Sequence, residues 1–366
     1  MKNIPSAGPW ITNLEIKSVT DAISKGWYEN WSKDILKFEK SFSKYINIKH
    51  SLTTSSCTGA LHIILKAMGI KKGDEIIVPE VSWIATVSCI YYLGAKPVYC
   101  DIEKDTWCLD PNDVKRKITS KTKAIIPVHM YGHPADMTQI NKIAKNYGIW
   151  VVEDAAPGIG SKINDKLTGS FGDASAFSFQ GAKPIVTGEG GMICTNNSNL
   201  FDKIYFYWDH GRDKKKILYN SEIGFKYKMS NIQAALGYAQ LQRINQIISK
   251  RRKIFSWYHK YLGKNDKIFM NIERKNYFNN FYVPSIIIKN ANKKFRDDFS
   301  SLLNKKGINN RPFFRPISKM LKGCKKADTP VADQISDCGI NLPCATKLTK
   351  EQIKYVSSQI NELLNE

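Results

Sequence analysis

The chain has 366 residues, of which 42% are hydrophobic, 24% charged and 11% aromatic, which suits one large domain with a smaller companion and excludes an isolated binding module or a disordered polymer. No stretch approaches the ~18 apolar residues of a membrane span, and the opening MKNIPSAGPWITNLE lacks the apolar run of a secretory signal, so a cytoplasmic protein without membrane partners is expected. The net charge of +22 is lopsided, with 23 basic and 19 acidic residues in 1–200 against 32 and 14 in 201–366. The C-terminal lysines alternate with Ile and Asn in what read as solvated helix faces, as at Arg251-Arg252-Lys253, and no zinc-finger spacing or RNP-like strand joins them, so nucleic acid is not an expected partner.

The first feature along the chain is TTSSCTGALHIIL at 53–65, a Ser/Thr-rich turn running into an apolar helix. Free N–H groups and hydroxyls at such a start form an anion site, although an ordinary capped helix has the same spelling. Short β-rich runs then recur at 75–79 (EIIVP), 97–101 (PVYCD), 124–128 (AIIPV), 150–154 (WVVED), 174–179 (ASAFSF) and 191–195 (GMICT). Amphipathic segments such as Met137–Tyr147 separate them at about the spacing of strand–helix–strand units, which predicts an α/β large domain around a mostly parallel sheet. Ser230 caps a predicted helix with Ile232, Ala235, Leu236, Ala239, Leu241, Ile244 and Ile248 on its apolar face, continuing toward Arg251. Beyond it, a strand at 281–288, a helix at 295–307 and a terminal helix at 350–364 predict a smaller α+β domain. The expected division is 1–250 and 251–366.

Four residues carry candidate chemistry. Asp154 emerges where an apolar strand ends, the position at which open α/β sheets bind ligands, or else it caps a helix. Trp83, just past the EIIVP strand, offers an indole to a flat ring or packs in the core. Lys183 lies in FSFQGAKPIVTGEGGM, between a strand and a glycine-rich turn, where burial would favour the neutral amine that condenses with a carbonyl; a surface lysine is the plainer reading. Ser178 ends a strand five residues earlier. Pyridoxal phosphate needs this set in one place, because it carries a phosphate, a flat ring, a basic pyridine nitrogen and an aldehyde. The eight cysteines contain no C-x-x-C pair and read as buried free thiols, with no metal site indicated.

These segments are longer than isolated motifs. SSCTGALH (55–62), GDEIIVP (73–79), VHMYGHPADM (128–137), EDAA (153–156), GSFGD (169–173), FSFQGAK (177–183), TGEGGM (187–192) and KYKMSNIQAALGYAQL (226–241) together resemble the DegT/DnrJ/EryC1/StrS family of sugar-nucleotide aminotransferases. Within it, NNRPFFRP (309–316) and GINLPC (339–344) are similar to the GDP-perosamine synthase branch. The resemblance implies a fold-type-I, aspartate-aminotransferase-like fold and a homodimer with shared active sites. It implies that Lys183 forms the covalent imine with pyridoxal phosphate and moves the proton, that Asp154 holds the pyridinium, that Trp83 stacks on the ring, and that Cys57, Thr58 and Ser178 contact the phosphate. In the family an Asn in a G-x-N-x-[RK] segment reaches the partner subunit's phosphate. Here Lys226 replaces it, making an ammonium–phosphate pair or losing the contact. Pro157 stands where relatives commonly place a side chain near the phenolic oxygen, and proline cannot donate.

The reaction the resemblance implies moves the amino group of L-glutamate onto a nucleotide-linked 4-keto-6-deoxy sugar, in surface polysaccharide biosynthesis; Arg311 is a candidate substrate residue for an anion or sugar hydroxyl, or else a structural one. Alternatives are a 3-keto nucleotide sugar, a small phosphorylated ketone, or a non-catalytic regulatory protein on the same scaffold.

Overall fold

The computed structural model describes residues 3–213 and 215–365. Its N-terminal helices line one flank. α1 (Asn13–Lys25) starts at a capping box between Thr12 and Glu15, and α2 (Lys33–Ile46) turns Ile35, Phe38, Phe42 and Ile46 inward at helical spacing. α2 stops at Asn47, whose φ of +57° is the left-handed region that short amide side chains tolerate.

The strands and helices of the large unit follow in alternation: β1 (His50–Thr54), α3 (Cys57–Ala67), β2 (Glu75–Pro79), α4 (Ala85–Tyr92), β3 (Lys96–Cys100), α5 (Pro111–Lys117), β4 (Thr122–Ile125), α6 (Met137–Tyr147) and β5 (Trp150–Asp154). A small hairpin, β6 (Lys162–Ile163) and β7 (Lys166–Leu167), precedes β8 (Ala174–Ser178), β9 (Gly191–Thr195) and α7 (Ser198–Trp208). The seven-stranded sheet has the order β1-β9-β8-β5-β4-β2-β3, parallel from β8 to β3, with β9 antiparallel to both of its neighbours. Strands 75–79, 150–154 and 191–195 have the expected bounds, and the other three shift by one to three residues. β1 went unassigned because HSLTT lacks the apolar run of its neighbours, being the outermost strand, paired on one side only.

Glu153 shows why β5 ends where it does. Its carboxylate accepts hydrogen bonds from the N–H groups of Gly169, Phe171 and Gly172 and meets the His129 ring at 3.0 Å, with both side chains sealed from solvent. A buried acid needs such a set of donors, and in satisfying it the chain fixes the backbone from which the next residue, Asp154, projects.

The helix expected from Ser230 is two. α8 (Asn231–Gln242) is capped by Ser230 and Gln233, the backbone breaks at Arg243 (φ −110°, ψ 12°), and α9 (Ile244–Leu262) continues. The break brings the Arg243 guanidinium 2.6 Å from Glu15 and 4.6 Å from the Trp10 ring. α9 then passes through the 250/251 division without interruption.

The smaller unit contains β10 (Ile268–Met270), β11 (Tyr277–Phe278), β12 (Ser285–Ile288), α10 (Lys293–Lys305), β13 (Arg311–Pro312), α11 (Ile317–Met320), α12 (Pro330–Cys338), β14 (Gly339–Asn341) and α13 (Lys350–Asn365). Its antiparallel sheet runs β10-β12-β14-β13, whereas β11 joins the β6–β7 hairpin. The strand expected over 281–288 begins only at Ser285, because Phe281 sits at φ +49° and Pro284 cannot donate to a ladder. The unit also borrows the beginning of the chain: Ile4 N–H donates to Gly307 O at 2.9 Å, and Cys344 N–H to Ser6 O at 2.7 Å. Its core joins α9 and α13 through Ile254, Tyr258, Leu262, Ile353, Val356 and Ile360.

Candidate active site

The start of α3 supplies the first element. Ser56 caps the helix by accepting the Gly59 N–H at 3.0 Å, leaving Cys57 and Thr58 at the open end of an eleven-residue helix. Gly191 is required beside them, since a Cβ there would lie 2.6 Å from the Ser56 carbonyl carbon and 2.7 Å from Cys57 N. Gly191 pairs across the sheet with Ser178, so the register of β8 and β9 delivers the Ser178 hydroxyl to the same corner. Ser178 Oγ also accepts the Gln180 N–H at 3.4 Å, which opens the turn toward Lys183.

Asp154, two residues behind Ser178 in the β5–β8 register, is 5% exposed. One carboxylate oxygen accepts from Thr86 Oγ1 at 2.7 Å and the other from the Ala156 N–H at 3.2 Å. A buried carboxylate held by a hydroxyl and one amide is under-compensated and favours a cationic donor as its further partner. Thr86 follows Trp83 by one turn, its N–H donating to Trp83 O, so one helix start aims the hydroxyl at Asp154 and presents the indole on its outer side. Trp83 is 64% exposed and 6.1 Å from the Phe314 ring, which settles the choice between core packing and an open face.

Lys183 is half-buried, with Nζ 4.7 Å from the centroid of the Tyr282 ring. The Cys57 thiol registers both charges: burial raises its pKa well above the usual value, Asp154 raises it further, and Lys183 pulls it back. Cys57, at the corner where α3 starts, therefore lies within electrostatic reach of both Asp154 and Lys183. A cleft of about 560 Å³ is lined by Ala182 next to Lys183, by Trp83, Tyr131, Tyr282 and Phe314, and by Arg311 and Arg315. Arg311 reaches it because β13 pairs with Asn341 of β14, whose amide donates to the Tyr131 hydroxyl at 3.0 Å. Lys226 does not line the cleft; it is exposed, in a segment tied to the α3 start by the Ser55 N–H to Tyr227 O bond of 2.6 Å. Pro157 is buried, and its carbonyl accepts from Asn280 Nδ2 at 2.9 Å.

A family model for the DegT/DnrJ/EryC1/StrS aminotransferases matches residues 9–361. The chain belongs to that family. This aminotransferase is 38% identical to GDP-perosamine synthase of Escherichia coli O157:H7, with 100% of both chains covered, and 35% identical to GDP-perosamine synthase of Vibrio cholerae, with 99% of both covered. Among solved structures it superposes with a TM-score of 0.93, at 26% identity and 99% of both chains, on a chain from Streptococcus pneumoniae assigned as a sugar aminotransferase, in its PLP form. The aminotransferase is pyridoxal-phosphate dependent. The corner fits the cofactor: a helix start for the phosphate, an under-compensated buried acid for a ring nitrogen, and an amine on a glycine-flanked turn.

Several residues of the site carry no assignment in the sequence. Thr86 was findable, one helical turn after Trp83. Tyr131, Tyr282 and Phe314 come from distant loops and carry no local signal. Arg251 requires a correction, for it does not lie on a solvated face: it is 2% exposed. Its place in the stripe Ile244, Ile247, Ile248, Arg251, Ile254, Phe255, Tyr258 was the available signal. All eight cysteines are free and seven are buried. Among the described residues no helix is long and apolar enough to cross a membrane, and no cluster of His, Cys, Asp and Glu could hold a metal ion.

Proposed function

We propose that this aminotransferase transfers the amino group of L-glutamate to the keto carbon of a 4-keto-6-deoxyhexose linked to a nucleoside diphosphate, with a GDP sugar as the leading substrate, in surface polysaccharide biosynthesis. The observation that carries the reading is the cleft, where aromatic faces and two guanidiniums front the Lys183 corner in a space larger than an amino acid needs. The naming of the relatives from Escherichia coli and Vibrio cholerae as GDP-perosamine synthases supports the same choice.

Pyridoxal phosphate supplies an electron sink for the carbanion formed at the donor carbon. The chain's residues do the rest. Lys183 would hold the cofactor covalently through its Nζ and, once displaced by the donor amine, would use that Nζ to take up and return a proton. Asp154, oriented by the Thr86 hydroxyl, would hold the proton on the ring nitrogen. The N–H groups and hydroxyls at Cys57, Thr58 and Ser178 bind the phosphate. Trp83 covers the ring. Arg311 binds the diphosphate or a sugar hydroxyl, with the basic C-terminal half favouring approach of an anion.

The site is completed in a homodimer. Trp27, Tyr28 and Trp31 beside α2, and Ile217, Leu218 and Ile223 ahead of Lys226, stand in solvent in the single chain, exposed apolar side chains that a second copy would bury. Lys226, exposed in the segment that the Ser55–Tyr227 bond ties to the α3 start, would then pair with the partner's cofactor phosphate. The substrate test is to load the amine form and screen GDP- and dTDP-linked 4-keto-6-deoxy sugars for return of the aldehyde spectrum. A response to small phosphorylated ketones alone would replace the sugar assignment.

A further inference from the structure

We propose that Arg251 is a positioning residue for Lys183, a role that rests on the function assigned above. Arg251 occupies a place on α9 that packing alone would give to Leu or Met, between Ile248 and Ile254 on the buried stripe. A guanidinium at 2% exposure is costly unless its donors are used. Both terminal nitrogens are used on carbonyls, one donating to Tyr282 O at 3.1 Å and the other to Lys183 O at 3.2 Å, while Nε is buried without a hydrogen-bond partner among the described residues. The same group stands 5.6 Å from the Tyr282 ring, and that ring lies 4.7 Å from Lys183 Nζ. One planar fork therefore spaces the backbone that carries the amine and the backbone that carries the ring facing it.

The second anchor runs to Asp154. Tyr282 N–H donates to Asn280 Oδ1 at 2.7 Å, and Asn280 Nδ2 donates to Pro157 O and Ile159 O, both at 2.9 Å, in the loop that follows Asp154. Asn280 N–H is held by Ser161 Oγ at 3.1 Å. Gly132 makes room for this link, since a Cβ there would lie 2.0 Å from Asn280 Oδ1, at a φ of +105°. Read from α9, the chain of contacts is Arg251, then Lys183 and Tyr282 together, then Asn280, then the Asp154 loop. It sets the distance between the group that binds the cofactor's aldehyde and the group that faces its ring nitrogen. The smaller unit's loop 279–283 thereby becomes part of the catalytic geometry, without touching the reacting atoms except through the Tyr282 ring.

The test compares wild type with Arg251→Met and Arg251→Lys, each folded by circular dichroism and of unchanged oligomeric state. The first readout is the rate at which added pyridoxal phosphate becomes covalently attached to Lys183, followed by absorbance and borohydride trapping. The second is the split between KM and kcat for L-glutamate in the half-reaction. Misplacing a reacting group by about 1 Å costs up to ~100-fold. Attachment and kcat in Arg251→Met should therefore fall at least about tenfold, with the glutamate KM within about twofold, and Arg251→Lys, which reaches one carbonyl, should fall between. Attachment at the wild-type rate in Arg251→Met would overturn the proposal. Should Arg251→Met not fold, Arg251→Lys decides alone: a several-fold slower attachment supports the role and a wild-type rate refutes it. A wild type that takes up no cofactor would instead overturn the function itself, so the two failures are distinguishable.

Discussion

The two walls of the cleft are built on opposite principles. The inner wall comes from the large unit, where Cys57, Thr58, Asp154 and Ser178 sit at strand ends and a helix start whose backbones are fixed by the sheet register. The outer wall gathers Tyr131, Phe314 and Arg311 from loops and a short strand, with the Tyr131 hydroxyl accepting from Asn341 Nδ2 at 3.0 Å and from the Phe314 N–H at 3.4 Å. The inner wall is suited to chemistry that tolerates little displacement, and the outer wall to adjustable recognition of a substrate. Variants should divide accordingly, with inner-wall changes acting on kcat and cofactor binding and outer-wall changes on KM.

The largest effect is expected from Lys183→Ala, which removes the covalent anchor and the proton carrier together, so turnover should fall by several orders of magnitude while the melting temperature stays close to wild type. Retained turnover would break the distinction between the walls at its centre. Next comes Asp154→Asn. Losing one partner of a buried charge pair costs about 3–5 kcal/mol, so kcat should fall at least about 100-fold, with the substrate KM little changed, as steady-state kinetics on the loaded enzyme will read. On the outer wall, Phe314→Ala should raise KM for the nucleotide sugar about tenfold with kcat within about twofold, the scale of one aromatic stacking contact. A loss confined to kcat would place that ring in the chemistry instead.

The smallest effect concerns stability and the floor of the cleft. Glu80, at the end of β2, has its backbone carbonyl bonded to the Ile317 N–H and one carboxyl oxygen to the Ser318 N–H at 2.8 Å, so it carries the α11 segment whose Met320 lines the cleft. Burial pushes its carboxyl up to about 7, from an ordinary value of 4.5. Between those values the folded chain keeps a proton that the unfolded chain has lost. This group's contribution therefore declines as pH rises through the window and levels off above about 7, by roughly 3 kcal/mol in all. Urea melts at several pH values should show that decline in wild type and its loss in Glu80→Gln. The same slope in both would assign the titration to another group.

Legibility in the sequence follows the same division. The inner wall could be read because each part obeys a local rule: apolar runs end at Asp154 and Ser178, and a Ser/Thr turn enters an apolar helix at Cys57. The edge strand β1 escaped because a strand paired on one side needs no apolar run. Arg251 escaped for a subtler reason, since a basic triplet reads as solvated until its first member is placed on the helical stripe beside Ile248 and Phe255. The aromatic wall was beyond local rules, because Tyr131 and Phe314 stack at 5.4 Å across 183 residues of chain and only the folded topology brings them together. The opening residues were equally opaque, as nothing in MKNIPSAG announces that Ile4 and Ser6 bind the smaller unit.

The central claim is that Lys183 lies within covalent reach of the cofactor's aldehyde. Borohydride reduction of the protein loaded with pyridoxal phosphate, followed by peptide mass mapping, tests it directly. The account predicts a reduced pyridoxyl group on the peptide containing Lys183 and its absence in Lys183→Ala; a group fixed to another lysine, or to none, would contradict it.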